Sequence, residues 1–284
     1  VTPKAVSRRL ALAGGVLALA GRAFGAGRPE RIVSLVSCLD AILVEVADAG
    51  QIAALSRESS DPHASTIPAI ARRYPGVRET AEEIMAHRPD LVLGSIYTPL
   101  PLRSALQRLG IPVLVTDLPK TPAQSLAQVR QIAAAAGHRE RGEALVRRIE
   151  DALAAARPTP GAAPIDALIF QPNGFTTGPG NLMDAMLTEC GFRNVAVRYG
   201  MKQSGRVPLE QLIADPPAVL LAGETAPGAA TWAERVVSHP ALRALDGRMH
   251  RATFPMRLFY CGGPVLIQTA EALARARRGY EARA

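Results

Sequence analysis

Residues 121–156 read TPAQSLAQVRQIAAAAGHRERGEALVRRIEDALAAA, and this stretch decides the architecture. From Pro122 to Ala156 it is almost entirely helix-forming, with one interruption at Gly137. Thr121 suits the cap position and Pro122 the first helical position. The second piece, Glu140 to Ala156, holds 17 residues and should run about 25 Å. Leu145, Ile149 and Leu153 share one of its faces at helical spacing. Pro158, Pro160 and Gly161 end it. With no glycine or serine tract, it reads as a stiff spacer, not a flexible tether.

On both sides of this rod, short strands alternate with helices. Before it come a β-rich run at Arg31–Val36, a helix at Asp40–Ala49 and a strand at Ile52–Leu55. A helix at Ala81–His87 follows, with Thr80 as its cap, then a strand at Leu91–Leu93, a helix at Leu102–Leu109 and a strand at Ile111–Val115. After it come a strand at Ala167–Gln171, helices at Leu182–Glu189 and Leu209–Ala214, and a strand at Ala218–Leu221. Further helical material is expected at Trp232–Val237, His239–Leu245 and Pro264–Arg278. The alternation implies an α/β fold with mainly parallel sheets. Two α/β lobes, 29–120 and 164–284, are thus joined through a helical segment at 121–160. A ligand cleft is expected between them, a favoured location for small-molecule sites.

Composition narrows the function classes. Of 284 residues, 48% are hydrophobic and 20% charged, as in a folded globular chain. Four of the eight net positive charges (Lys4, Arg8, Arg9 and Arg22) lie in residues 1–26, leaving +4 elsewhere. The remaining basic residues are interleaved with acids, which argues against a nucleic-acid partner. Residues 1–26 read as an export signal: a basic start, an apolar run from Leu10 to Ala20, and small residues at Ala23–Ala26. Arg8-Arg9 suggests the twin-arginine route. A periplasmic location follows as an expectation.

The five histidines show no paired metal spacing, and neither G-x-G-x-x-G nor G-x-S-x-G occurs in the right context. The chain is therefore read as a binding protein without a resident cofactor, not an enzyme. An exported α/β enzyme lacking a recognisable nucleotide motif is the alternative. Thr177-Gly178-Pro179-Gly180-Asn181 reads as a turn leading into a helix.

Several landmarks in fixed order resemble one family. They are Arg31-Ile32-Val33-Ser34-Leu35, then Ala81-Glu82-Glu83-Ile84 through Arg88-Pro89-Asp90-Leu91-Val92, and Leu109-Gly110-Ile111-Pro112-Val113. Gly191-Phe192-Arg193-Asn194-Val195, Pro208-Leu209-Glu210-Gln211-Leu212 and His239-Pro240-Ala241-Leu242 follow in the second half. The chain resembles the helix-bridged solute-binding proteins of ABC importers for cobalamin and ferric siderophores, over about residues 29 to 278. The resemblance implies a monomer that delivers a metal chelate to an ABC permease and its ATPase, with only modest lobe closure. It also implies one permease-docking glutamate on each lobe, which fall here on Glu82 and Glu210; Glu83 competes with Glu82 by one position.

In open α/β sheets, ligands lie beyond the carboxyl ends of the strands. That rule selects Cys38, Arg57, Glu58, Tyr97, Phe175, Phe259, Tyr260 and Cys261 as ligand-facing candidates, and Arg257 joins them as a cation that could meet an anionic ligand. The chain departs from the corrinoid-binding members at Ser95, where they carry a large aromatic, and at Glu58, where a tyrosine is common. Arg57, Arg78 and Arg257 could instead meet an anionic chelate, because guanidinium forks onto carboxylate or phosphate oxygens. Cys38 and Cys261 leave three readings open: inert buried thiols, the leading one, a bridge between the chain's two ends, or ligation of a soft metal. Cys190 sits on an apolar helical face and is expected in the core.

Overall fold

The computed structural model describes residues 27–224, 239–245 and 247–283. The export segment at 1–26 and the helix expected at Trp232–Val237 lie outside the described residues.

Two parallel sheets organise the chain. The first contains β1 (Ile32–Ser34), β2 (Ile52–Ser56), β3 (Gly76–Val77), β4 (Leu91–Ser95) and β5 (Val113–Thr116), in the order β3-β2-β1-β4-β5. The second contains β6 (Ile165–Phe170), β8 (Phe192–Asn194), β10 (Val219–Ala222) and β11 (His250–Thr253), in the order β11-β10-β6-β8. All ladders in both sheets are parallel. A small antiparallel ribbon pairs β7 (Phe175–Thr176) with β9 (Gly205–Arg206). Each sheet starts at an inner strand, β1 or β6. The chain then builds outward on one side and crosses back to the other through β4 or β10. The lobes therefore repeat one topology. Helices cover both faces, so the central strands Leu91–Ser95 and Val219–Ala222 are buried throughout and are apolar apart from Ser95 at the end of β4.

The helices are α1 (Ser37–Val46), α2 (Pro68–Ala71), α3 (Ala81–Ala86), α4 (Leu100–Arg108), α5 (Pro122–Ala135), α6 (Arg139–Ala156), α7 (Leu182–Glu189), α8 (Leu209–Ala214), α9 (Pro240–Arg243) and α10 (Val265–Glu281). Their starts follow local chemistry. The Thr80 and Thr121 hydroxyls accept from the backbone N–H of Glu83 (3.3 Å) and Gln124 (3.2 Å). The Asn181 side chain accepts from Met183 N–H at 3.0 Å and Asp184 N–H at 3.1 Å, so the turn at 177–181 also caps the helix that follows. Gly137, at φ 82°, breaks α5 from α6 in a conformation that suits glycine.

The bridging helix is not a free-standing strut. It buries Gly142, Leu145, Val146, Ile149, Leu153 and Ala156 and packs on α5, α10 and α1. Gly142 lets α6 approach α5 closely, since a Cβ there would collide with the Cβ of Ala133. One apolar core runs continuously through Ile42 of α1, Val129 and Ile132 of α5, Ile149 of α6, Leu187 of α7 and Leu273 of α10. Each such side chain stabilises the fold by about 1.5–3 kcal/mol. The lobes thus share a helical layer.

Element limits depart from expectation at α1, which begins at Ser37 and ends at Val46, three residues before Ala49. Strands β3, β7, β8, β9 and β11 were not expected from the sequence. They are two to four residues long, too short to display a period of two.

Candidate functional site

The carboxyl ends of β1 and β4, and of β6 and β10, are the points where connections leave in opposite directions. Open sheets place ligands there. At β1, the chain turns directly into α1, and Asp40 in its first turn is fully buried. Its Oδ2 accepts from Ser56 N–H at 2.9 Å and from the Ser59 hydroxyl at 2.6 Å. The start of α1 is thereby tied to the turn that follows β2. Burial raises the Asp40 carboxyl to about 7, against lowering by the hydroxyls of Ser34 and Ser59 and by Ser56 N–H, with nearby Glu58 adding to the rise. Asp40 lies in a segment expected to face the cleft, yet it is an internal anchor.

The turn it anchors presents Arg57 and Glu58 to solvent. Arg57 Nη2 lies 3.9 Å from Glu83 Oε1, while Arg78 approaches the same carboxylate through Nε at 2.7 Å and its backbone N–H at 2.8 Å. These donors, Arg78 first, hold Glu83 below the usual carboxylate range. Arg57 and Arg78 are therefore not bare cations waiting for an anion. Glu58 has no ion-pair partner among the described residues.

After β4, Tyr97 stands 69% exposed, with Ile96 and Leu100 also open; Leu118 is exposed after β5. The chain there is fixed by short polar contacts: Tyr97 N–H donates to Ser95 Oγ (3.2 Å), Ser95 N–H to Thr98 Oγ1 (3.1 Å), and Thr98 Oγ1 to Glu79 (3.3 Å). Beside Leu118, a concavity of about 480 Å³ is lined by Thr116, Asp117, Pro119, Lys120, Gln124 and Gln128.

In the second lobe, buried Gln171 donates from Nε2 to Phe254 O at 2.9 Å, locking the end of β6 to the end of β11. Three aromatics follow in a row. Phe175 meets Phe259 edge-to-face at 5.5 Å, and Phe259 meets Tyr260 at 4.7 Å. Phe259 is 5% exposed, so it belongs to the core and supports the others instead of facing ligand. Phe175 is half-buried, and Tyr260 is 59% exposed. Arg257 pairs with Glu224 at 2.8 Å. Both border a concavity of about 320 Å³ lined also by His250 of edge strand β11 and Arg275 of α10, which draws Arg257 toward the sheet's outer edge.

Cys38 and Cys261 form a disulfide, their Cα atoms 5.0 Å apart. This corrects the leading reading of inert thiols and removes both sulfurs as metal ligands. The bridge joins the first turn of α1 to the segment before α10. Beside it, Gly263 N–H donates to Ser125 Oγ at 2.6 Å, and Gly262 lies so near Ser125 that it has no room for a side chain. The seam between the lobes is thus pinned next to Tyr260. Cys190 is buried as expected, its thiol pushed up to about 12 chiefly by burial. Among the described residues, no group of three or more His, Cys, Asp or Glu side chains is placed to hold a metal ion.

Glu82 and Glu210 occupy matching positions. Each is the second residue of a six-residue helix, α3 or α8, followed two residues on by a fully buried anchor, Ile84 or Leu212. Each helix then leads through a proline, Pro89 or Pro216, into central strand β4 or β10. Both glutamates are exposed, with no ion pair among the described residues. Glu83 is engaged inside the lobe, which separates it from Glu82.

A larger concavity, about 870 Å³, lies elsewhere. It is lined by Arg28, Pro29, Asp90, Pro112, Gln131 and Arg139, at the amino ends of β4 and β5. Size favours it as a site; sheet topology does not. Its border includes Gly27, the first described residue, and topology is the better guide here.

Two like-wound parallel sheets, a helical layer between them and an apolar rim at the carboxyl ends of the strands define a bilobal solute-binding protein. Residues 32–247 match the periplasmic binding protein family, and the chain belongs to it. No curated protein matches it in sequence. Among solved structures, it is similar to the periplasmic heme-binding protein RhuT from Roseiflexus sp. RS-1 in apo form, at 23% identity and a TM-score of 0.68 over 89% of this chain and 98% of that one. A periplasmic heme-binding protein from Pseudomonas aeruginosa is similar at 22% identity and a TM-score of 0.67, over 87% and 92% of the two chains. The vitamin B12-binding protein BtuF of Vibrio cholerae follows at 16% identity and a TM-score of 0.67, over 89% and 98%. At these identities the likeness speaks for the fold.

Proposed function

We propose that this protein is the capture component of an ABC importer and carries a flat, largely apolar metal chelate of the tetrapyrrole type. The observation that carries this reading is the set of exposed apolar side chains at the strand ends. Ile96, Tyr97, Leu100 and Leu118 lie on the first lobe, and Tyr260 beside the cystine on the second. Large aromatics left in water at a strand-end seam favour a ligand with extended apolar faces. A small hydrophilic solute would be better served by unpaired polar groups, whereas Arg57 and Arg257 are already paired. Glu58, without an ion-pair partner among the described residues, favours a ligand with a cationic or hydrogen-bond-donating edge. Structural relatives that bind heme and vitamin B12 support the same class.

Delivery is assigned to Glu82 and Glu210, two separated carboxylates suited to bidentate arginine contacts on a permease. The protein acts as a monomer in the periplasm, reached through the export segment 1–26, and turns nothing over. Titration of the purified protein with hemin, cobinamide, cobalamin and ferric siderophores, read by absorbance and quenching of intrinsic fluorescence, tests the ligand class. Saturable binding of a macrocycle is expected; binding of siderophores alone would overturn the tetrapyrrole assignment, and binding of none the capture role.

A further inference from the structure

In each lobe, the strand that leads into the glutamate-bearing helix is hydrogen-bonded to the chain segment that enters the cleft. In the first lobe, β3 pairs with the carboxyl end of β2, Leu55 opposite Gly76 and Ser56 opposite Val77. The next residue after Ser56 is Arg57, whose stem packs over Gly76 and whose guanidinium reaches Glu83 of α3. A second contact runs from Thr98, one residue beyond exposed Tyr97, to Glu79 just ahead of α3.

The second lobe repeats the arrangement with different chemistry. The cleft segment Asn173–Thr176 pairs with β9, Phe175 opposite Arg206 and Thr176 opposite Gly205. Val207 N–H donates to Gly174 O at 3.0 Å, and a side chain at Gly174 would strike Val207 O. Asn173 holds a left-handed backbone at φ 61°. With its amide oriented as its hydrogen bonds require, its oxygen accepts from Arg206 Nη2 at 2.9 Å and Nε at 3.1 Å. Arg206 lies two residues before the cap of α8.

We infer that Glu83 and Arg206 are positioning residues that report cleft occupancy to the two docking helices, one in each lobe. This rests on the capture-and-docking reading above. A ligand that draws on Arg57 or displaces Asn173 removes a partner from Glu83 or Arg206, and so alters the position and mobility of the helix carrying Glu82 or Glu210. The coupling is reciprocal: whatever fixes α3 and α8 must change ligand affinity by the same factor. It explains why short helices at the lobe surface are tied to the strand ends by side-chain contacts as well as by packing.

The test is hydrogen–deuterium exchange of the whole protein, read at residues 78–86 and 205–214, with and without saturating hemin, cobinamide or a ferric hydroxamate siderophore. In the unmodified protein, a probe that binds is expected to change exchange in both segments at least two-fold. Glu83→Gln should abolish the change at 78–86 and leave that at 205–214; Arg206→Gln should do the reverse. Both residues are at the surface, and ligand affinity should stay within about three-fold. Thr98→Val, which is close in shape, should weaken the response at 78–86 without touching the ion pair. Binding with unchanged exchange at both helices, or variants that respond like the unmodified protein, would overturn the inference alone. Failure of every probe to bind would overturn the capture reading and the inference with it.

Discussion

Cys38 and Cys261, 223 positions apart, are joined across the seam between the lobes. The bond closes nearly the whole described chain into a loop, so it removes much of the unfolded chain's freedom. It also ties the first turn of α1 to the segment before α10, beside the hydrogen bond from Gly263 N–H to Ser125 Oγ. Replacing both cysteines by alanine should destabilise the protein by about 2–5 kcal/mol and lower the melting temperature by roughly 5–15 °C. Calorimetry with and without reductant checks this. Thiol titration should find no reactive group in the folded oxidised protein and one, Cys190, after unfolding. An unchanged melting temperature on reduction would show that the bond contributes nothing.

Asp40 gives stability a distinctive pH dependence. Its carboxyl titrates at about 7 when folded and near 3.8 when exposed. Between those values, the folded state holds a proton that the unfolded state has released. The contribution is complete below about 3.8 and is lost as pH rises through 7. Asp40→Asn keeps an acceptor for Ser56 N–H or the Ser59 hydroxyl but cannot ionise. Relative to the unmodified protein, it should gain about 2 kcal/mol or more between pH 5 and pH 8, since each unit of difference corresponds to about 1.4 kcal/mol. Urea unfolding of both proteins at the two pH values measures this. A parallel pair of stability curves would place the carboxyl's titration elsewhere.

What the sequence made legible was periodicity and punctuation. Thr80 and Thr121 marked helix starts, Gly137 split α5 from α6, and the spacing of Leu145, Ile149 and Leu153 announced a buried face. It did not reveal how that face is used. A face apolar on one side is equally suited to bridging open space or to packing, and only the meeting of α6 with α5 and α10 decides. The site divides the same way. Strand ends pointed to Tyr97, Phe175 and Tyr260, but a strand end says nothing of depth, so Phe259 passed as a ligand contact although it is core. The partners of Arg57 and Arg257, namely Glu83 and Glu224, come from other segments and leave no mark at the arginines themselves. The contact between Asn173 and Arg206 escaped notice because β7 and β9 are two residues each.

The exposed tyrosines should account for a measurable share of affinity. Tyr97→Ala and Tyr260→Ala are each expected to weaken binding of the preferred macrocycle by about 1–2 kcal/mol, or 5- to 30-fold. Phe259→Ala should act differently. It removes a core side chain, lowering stability by about 3–5 kcal/mol, and disturbs binding only through Phe175 and Tyr260. Isothermal titration combined with thermal melts separates the two behaviours. Equal affinity in both tyrosine variants would move the ligand away from the strand-end rim.

The docking charges can be reversed without touching the residues that contact the cleft. Glu82 and Glu210 are exposed, unpaired among the described residues, and carried on helices anchored by Ile84 and Leu212. Reversing either charge therefore breaks no internal contact, and each variant should fold and bind ligand like the unmodified protein. If arginines of a permease meet these carboxylates, Glu82→Lys or Glu210→Lys should reduce uptake at least 10-fold in cells or proteoliposomes containing the cognate importer, and the double variant should abolish it. Exposed charge pairs act strongly on association rate and are screened by salt, so residual uptake by the single variants should respond less to ionic strength than that of the unmodified protein. Glu143→Lys is the contrasting control, because Glu143 is committed to Arg130 at 2.9 Å on the helical layer and lies on neither glutamate-bearing helix; its uptake should be unaffected. Uptake that survives both reversals would remove α3 and α8 from the permease contact.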